Sequence, residues 1–262
     1  MGSLIECLSL LGYSERLVRT SAFRLVKDDW LQVRKVGRKS YYAFTESANN
    51  HYTKAARRIY AKSMQHSDEH WLIVIPSFVT EDKLIRFKRQ LTWLGFSTLS
   101  SGVYAHPSME RSSLEDTVKE LKITDSVVIF SSQTIDSNST EVLKKLVFKK
   151  WNIKKLQQQY ESFIATYRPI LALIKSGLGL SSQQSFLLRT LLIHEYRRIL
   201  LKDHELSMNM LPGDWNGSIA NQLVKDLYAK LGKKSCNYIE SSLLSIDGYL
   251  PKASIEFERR FT

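Results

Sequence analysis

Arg16, Arg19 and Arg24 stand close together in the stretch "SERLVRTSAFRL", residues 14–25, with Glu15 as the one acid among them. A guanidinium is planar and permanently charged. It presents parallel N–H donors that match a phosphate or the major-groove edge of guanine. Thr20, between them, adds a hydroxyl and a methyl. The chemistry offered is recognition of a polyanion rather than bond making or breaking. The spacing predicts a helix. Val18, Ala22 and Leu25 recur at i, i+4, i+7 and form the predicted buried stripe, while Arg16, Arg19, Thr20 and Arg24 fall elsewhere on the cylinder and Lys27 extends the basic side. Ser14 is a good N-cap, and Glu15 sits at the positive end of the helix dipole.

Two further elements are needed to position such a helix. Leu4, Ile5, Leu8 and Leu11 predict a helix over residues 3–11, and Gly12 stops it, because glycine accepts the left-handed conformation. Helix, short glycine-containing turn, helix is the helix-turn-helix layout, whose second helix enters the major groove with its N-terminal half nearest the base edges. Downstream, "WLQVRKV" and "SYYAFT" are β-prone runs flanking "GRK", a hairpin with a basic tip. Arg34, Lys35, Arg38 and Lys39 project from it, suited to backbone contact or to a minor groove. Ser14 and the free amides of its helix suit a phosphate. For any single cation a solvated surface is the ordinary explanation. The combination of capped helix, turn, basic helix and basic-tipped hairpin is what predicts a winged helix.

The rest of the composition agrees. The 262 residues carry 38 Lys and Arg against 26 Asp and Glu, a formal charge of +12, which points to nucleic acid, acidic lipid or a phosphate-rich ligand. Hydrophobic residues make up 43%, enough for packed cores. Cys7 and Cys236 stand far apart with no metal-ligand spacing, as expected in a reducing cytoplasm. No apolar run approaches the roughly 20 residues of a membrane span, and "MGSLIECLSLLGY" has neither the basic start nor the cleavage site of a signal peptide. There is no glycine-rich phosphate loop, nucleophile elbow or Cys/His cluster. "HEYRR", residues 194–198, has Arg198 where a zinc-binding helix needs its second histidine. The expectation is a protein that is not an enzyme and holds no metal or cofactor.

The predicted organisation is α+β: a winged helix-turn-helix over 1–50 that lacks the usual first helix, a connecting helix over 51–66, a ferredoxin-like βαββαβ domain over 67–136, and a mostly helical part over 137–262. In the middle domain, "HWLIVIPSF" reads as a strand. "TEDKLIRFKRQLTWLGF" reads as a helix with Thr80 as cap, Gly95 as stop, and Leu84, Phe87, Leu91 and Leu94 on one face. "FSTLSSGVYAHP", "SLEDTVKELK" and "DSVVIFSSQ" complete the order as two strands, helix and strand. His106 reads as a surface or packing residue. Residues 139–176 read as one long helical stretch in which Lys144, Lys145, Lys149, Lys150, Lys154 and Lys155 alternate with Leu143, Leu146, Val147 and Trp151. That is either a solvated basic face or a second contact with phosphates. Trp215 reads as a loop anchor or a ligand-facing ring. The last dozen residues carry no clear signal.

Four segments together, "GSLIECLSLLGYSERLVRTSAFRLVKDDWL", "GRKSYYAFT", "LTWLGFSTLSSGVYAHP" and "LPGDWNGSIANQLVKDLY", resemble the PaaX-type transcriptional repressors of phenylacetic acid catabolism, in the same order and over most of the chain. The resemblance implies a cytoplasmic homodimeric repressor bound to a double-stranded DNA operator. It also implies a Cas2-like middle domain and a C-terminal effector or dimerisation domain, with phenylacetyl-CoA as the releasing effector. It carries the recognition-helix role to Arg16, Arg19, Thr20 and Arg24 and carries over no effector residues. The family has a further helix ahead of this pair. Asp29 stands where winged-helix modules often have glycine, and aspartate tolerates the left-handed conformation better than most residues. Two other functions fit the same features: a Cas2-like metal-dependent nuclease, and a nucleic-acid-binding module without a regulatory ligand.

Overall fold

Local signals place the first elements. In the computed structural model, which describes residues 1–61, 70–107, 111–204 and 206–261, helix α1 (Gly2–Ser9) ends in a turn where Gly12 has φ +85°. Ser14 then opens α2 (Glu15–Lys27), its hydroxyl accepting from Leu17 N at 3.4 Å. Asp29 leaves α2 at φ +58° and points the chain into β1 (Leu31–Val36). Strands β1 and β2 (Lys39–Phe44) pair antiparallel with Val36 opposite Lys39, so Gly37 and Arg38 form a two-residue loop. Gly37 has φ +57°, which such loops need at their first central position. The predicted connecting helix lies partly outside the described residues, at 62–66, as do 67–69 of the predicted middle domain. Its described part belongs to α3 (Glu46–Ile59), which begins earlier than the sequence suggested. Thr45 decides that start: its hydroxyl accepts from Ala48 N at 3.2 Å and donates to the Asp29 carbonyl at 2.7 Å, offsetting the weak helix propensity of Ser47, Asn49 and Asn50.

One expectation about α2 fails. Val18 and Ala22 are buried, but Leu25 is 41% exposed. Helix α1 has 8 residues against 13 in α2, so it is roughly 12 Å long against about 20 Å and does not cover the last turn.

The chain divides into two compact units. One gathers Met1–Ser63, Thr166–Arg197 and Gln222–Thr262; the other gathers Met64–Ala165 and Arg198–Asn221. The second is built on β3 (Trp71–Pro76), α4 (Glu81–Trp93), β4 (Ser97–Ser100), β5 (Val103–His106), α5 (Ser112–Glu120) and β6 (Val127–Ser132). The strands form one antiparallel sheet in the order β4-β5-β3-β6, the ferredoxin-like arrangement. Leu72, Val74, Phe87, Leu91, Phe96, Tyr104, Leu114 and Val118 form its core. Thr80 and Gly95, the latter at φ +89°, bound α4 as the sequence predicted. His106 packs its ring on Phe96.

The long stretch after β6 is two helices, not one. Helix α6 (Ser137–Lys150) is opened by Asp136, whose carboxylate accepts from Ser139 N at 2.6 Å. At Asn152 φ is +52°, and α7 (Ile153–Lys175) starts on a new axis. Asparagine visits the left-handed region at low cost, and the burial of Trp151 and Ile153 holds the chain there. Beyond it lie α8 (Ser182–Leu200), α9 (Gly217–Ser242), the short pair β7 (Leu244–Ser245) and β8 (Gly248–Tyr249), and α10 (Ile255–Glu258).

Trp215 is a core anchor. It is 5% exposed, its ring meets Tyr160 edge-on at 5.4 Å, and the flanking loop is held by Gln157, which donates to the Asp214 carbonyl and accepts from Asn216 N. A Cβ on Gly217 would stand 2.5 Å from the indole nitrogen, so only glycine fits beside the ring. Among the described residues no helix is long and apolar enough to cross a membrane, and no three metal-ligating side chains cluster.

Candidate nucleic-acid interface

Every cation predicted on α2 and the hairpin is exposed: Arg16, Arg19, Arg24 and Lys27 on the helix, and Arg34, Lys35, Arg38 and Lys39 on the hairpin. Ser14 and Thr20 are exposed as well. The apolar stripe that turns α2 into the molecule packs against α1 and β1 through Val18 and Ala22. At about 100° per residue, Arg16, Arg19, Thr20, Phe23, Arg24 and Lys27 then share an outward arc of about 140°. Phe23, 70% exposed in the middle of that arc, escaped the sequence reading. An aromatic on an amphipathic helix reads as core by default. Its position between Arg19 and Arg16 on the helix face, away from Val18 and Ala22, is the signal that could have found it. An apolar ring there can meet a thymine methyl, as the flanking arginines can meet guanine.

Local bonds set what each group has left to offer. Ser14 is engaged as the α2 cap. The Thr20 hydroxyl donates to the Arg16 carbonyl at 2.8 Å, so towards a ligand it presents lone pairs and its methyl group. Arg19 reaches back to Glu15, Nε donating to Oε1 at 2.7 Å and Nη2 standing 2.6 Å from the same oxygen, with both side chains 58% exposed. Such a pair is worth about 0–1 kcal/mol, so it orients Arg19 without sequestering it. Arg16, Arg24 and Lys27 complete the cationic surface.

The hairpin divides its cations. Side chains alternate along a strand, and the register sets Arg34 opposite Tyr41 and Lys35 opposite Ser40. Arg34 and Lys35 therefore project from opposite faces, with Arg38 at the tip. Arg34 and Tyr41 line a cleft of about 720 Å³ together with Leu4, Leu8 and Phe186, whereas Lys35 stands on the other side. The hairpin is tied to α2 through the Thr45–Asp29 bond. It is tied to α3 by Phe44 stacked on Tyr52 at 5.7 Å, and Trp30 lies 5.7 Å from the His51 ring.

A second basic surface lies on α6 and the start of α7. Lys145, Lys149, Lys150, Lys154 and Lys155 are exposed, and Lys144 stands 4.0 Å from Glu141. Val147, Trp151, Ile153 and Leu156 beneath them are buried. These lysines form the solvated side of an amphipathic helix pair.

Three family descriptions match along the chain: PaaX-like protein over residues 1–48, PaaX protein central Cas2-like domain over 64–143, and PaaX-like protein C-terminal domain over 151–241. The transcriptional repressor PaaX of Escherichia coli (strain K12) is 31% identical over 262 residues, which span 100% of this chain and 83% of that protein. Among solved structures, the uncharacterized protein Rv0674 from Mycobacterium tuberculosis superposes with a TM-score of 0.49 at 15% identity, over 89% of this chain and 88% of that one.

Proposed function

This chain belongs to the family of PaaX-like proteins, and from that premise we propose that it is a DNA-binding transcriptional repressor of phenylacetate catabolic genes. Helices α1 and α2 with the β1–β2 hairpin act as a winged helix-turn-helix. Helix α2 lies in the major groove, and its outward arc of Arg16, Arg19, Thr20, Phe23 and Arg24 reads base edges and adjacent phosphates. Lys27, Lys35, Arg38 and Lys39 hold backbone, and Ser14 with the α2 N-terminus meets a phosphate. The observation that carries this reading is the outward basic face of α2, fixed by the burial of Val18 and Ala22 on its opposite side.

The protein acts as a cytoplasmic homodimer. Two copies of α2 set one helical turn apart, roughly 34 Å, match successive major grooves of a palindromic site. The effector is an aryl-acyl-CoA, phenylacetyl-CoA, which favours a dimer state in which that spacing is lost and the operator is released. No catalytic step is involved.

The test is a gel shift on DNA from upstream of the cell's aryl-acid catabolic genes, with and without phenylacetyl-CoA. A shift abolished by the thioester and unaffected by free phenylacetate supports the assignment. Equal affinity for that duplex and for an unrelated one refutes it. Operator affinity should also fall steeply with salt, because each phosphate contact releases close to one counterion.

A further inference from the structure

Arg189, on α8, is 6% exposed, yet among the described residues its contacts include no acid. Its guanidinium lies over the Tyr228 ring at 3.9 Å and the Phe257 ring at 4.8 Å, and Nη1 approaches the Cys236 sulfur at 3.8 Å. A second guanidinium stands against the same Phe257 ring. Arg260 lies 4.3 Å from its centroid and 4.1 Å from that of Tyr60, donating to the Tyr52 hydroxyl at 2.6 Å and the Tyr228 hydroxyl at 3.4 Å. Ring faces and hydroxyls attract a cation but supply no countercharge. Buried arginines are ordinarily paired with carboxylate, because an uncompensated buried charge is expensive. Arg189, buried, and Arg260, half-buried, flank one ring here, and among the described residues neither contacts a carboxylate.

The space beside them has the size and lining of a ligand site. Phe257 and Arg260 border a mostly apolar cleft of about 730 Å³ together with Tyr52, Ala56, Tyr60 and Ile239, and Glu240 and Glu256 line it as well. Arg189 and Arg260 border an adjoining cleft of about 370 Å³. Small-molecule sites are mostly apolar concavities of roughly 300–1,000 Å³ with a few placed polar groups. Burial opposes the Arg260 charge, but its bond to Tyr228 and the nearby Tyr60, Tyr228 and Tyr52 oxygens outweigh that and raise its pKa above the usual arginine value. Burial pushes the Tyr60 phenol up to about 12, against the opposing pull of Arg260. Arg260 therefore keeps its charge, and the Tyr60 phenol stays neutral, throughout the physiological range.

We propose that this cluster is the effector site: Arg189 and Arg260 take the anionic oxygens of a phosphate-bearing acyl thioester, and the wall of Tyr52, Ala56, Tyr60 and Ile239 takes its apolar part. The assignment rests on the reading of the chain as a ligand-released repressor and adds the place where the ligand sits. It also supplies a route to the DNA-binding elements. Tyr52, which accepts from Arg260, stacks on Phe44 at the base of the hairpin, and α3 follows that hairpin directly. An anion that draws Arg260 away from Tyr52 changes the packing under β2.

The experiment is calorimetric titration of the full-length protein, without DNA, by phenylacetyl-CoA, CoA, phenylacetate and inorganic phosphate. It is repeated with Arg260→Gln, Arg189→Gln and Tyr52→Phe, each checked by thermal melting, with operator affinity measured alongside. The expected result is binding of the thioester by the parent and at least tenfold weaker binding by Arg260→Gln, the loss of one charge-assisted contact. If Arg189→Gln does not fold, Arg260→Gln at the chain end carries the test. Binding of phosphate and CoA as tightly as the thioester shows that the anion alone is recognised and overturns the apolar wall. Parental affinity in Arg260→Gln, or no binding of any of the four by the parent, overturns the site. A thioester that binds through Arg260 in a protein without operator affinity keeps the site and removes the repressor reading. Normal release of Arg260→Gln from the operator keeps that reading and removes the site.

Discussion

Replacing Glu15 with glutamine separates the two jobs of the α2 N-terminus. Glu15 supports the helix dipole, worth about 0.3–1 kcal/mol at an exposed site, and pairs with Arg19 at 2.6 Å, worth about 0.3–0.5 kcal/mol as an i,i+4 pair. With both side chains 58% exposed, the combined loss of stability should be about 1 kcal/mol at most after solvent screening. Against DNA the sign reverses. The carboxylate competes with base and phosphate for Arg19 and repels the backbone, so removing it should tighten operator binding several-fold while slightly lowering the melting temperature. Arg19→Ala loses a two-donor contact worth about 1–3 kcal/mol if it reads guanine, less the cost of exchanging the Glu15 pair, so binding should weaken about 10- to 100-fold. The assay is fluorescence anisotropy over a salt series with the operator and single-base variants. A base-reading Arg19 leaves the salt slope nearly intact and relaxes specificity at one position. A phosphate-binding Arg19 lowers the slope by about one and weakens all sequences alike. The reasoning fails if Glu15→Gln weakens operator binding, or if Arg19→Ala binds as the parent does.

Phe23→Ala should leave the melting temperature nearly unchanged, because a 70% exposed ring contributes little to the core, yet it should weaken binding to operators with thymine in the half-site; equal loss for all sequences would place Phe23 outside the groove. Gly217→Ala should destabilise by about 1–3 kcal/mol, since the new methyl stands 2.5 Å from the Trp215 indole nitrogen, read as a lower denaturation midpoint with reduced tryptophan burial. The Asp136 carboxyl is held below its usual range by its hydrogen bonds from Ser139. Its capping contribution is therefore present above the ordinary aspartate pKa and lost as pH falls through the depressed value. Asp136→Ala should lower the melting temperature at neutral pH and match the parent in strong acid; a gap that persists there refutes the cap.

The elements that carry the DNA reading were legible because their causes are local. Gly12 and Ser14 end one helix and open the next through bonds that span a few residues, and Asp29 takes the left-handed turn its side chain tolerates. Thr80, in extended backbone, and Gly95, at φ +89°, bound α4 by equally local conformational preference, and the βαββαβ order followed from the alternation of periods. The outward set Arg16, Arg19, Thr20 and Arg24 was readable from helical spacing alone. Leu25 was misjudged because periodicity names a face and not the length of the element that covers it. The break at Asn152 was missed because a pattern of lysines and apolar residues runs through it, and only the packing of Trp151 against Trp71 and His204, with Ile153 buried beyond the turn, makes it worthwhile.

Tertiary structure alone decided the chemistry of the chain's end. Nothing in residues 251–262 marks Phe257 or Arg260 as special, and Arg189 reads as one more cation on a helix. Their meaning arises when α3, α8, α9 and the terminal segment bring Tyr52, Tyr60, Tyr228 and Phe257 around two guanidinium groups. Capping and amphipathic spacing act over one or two turns and are written in neighbouring residues. Burial of a charge depends on what arrives from far along the chain, so it exists only once the fold has closed.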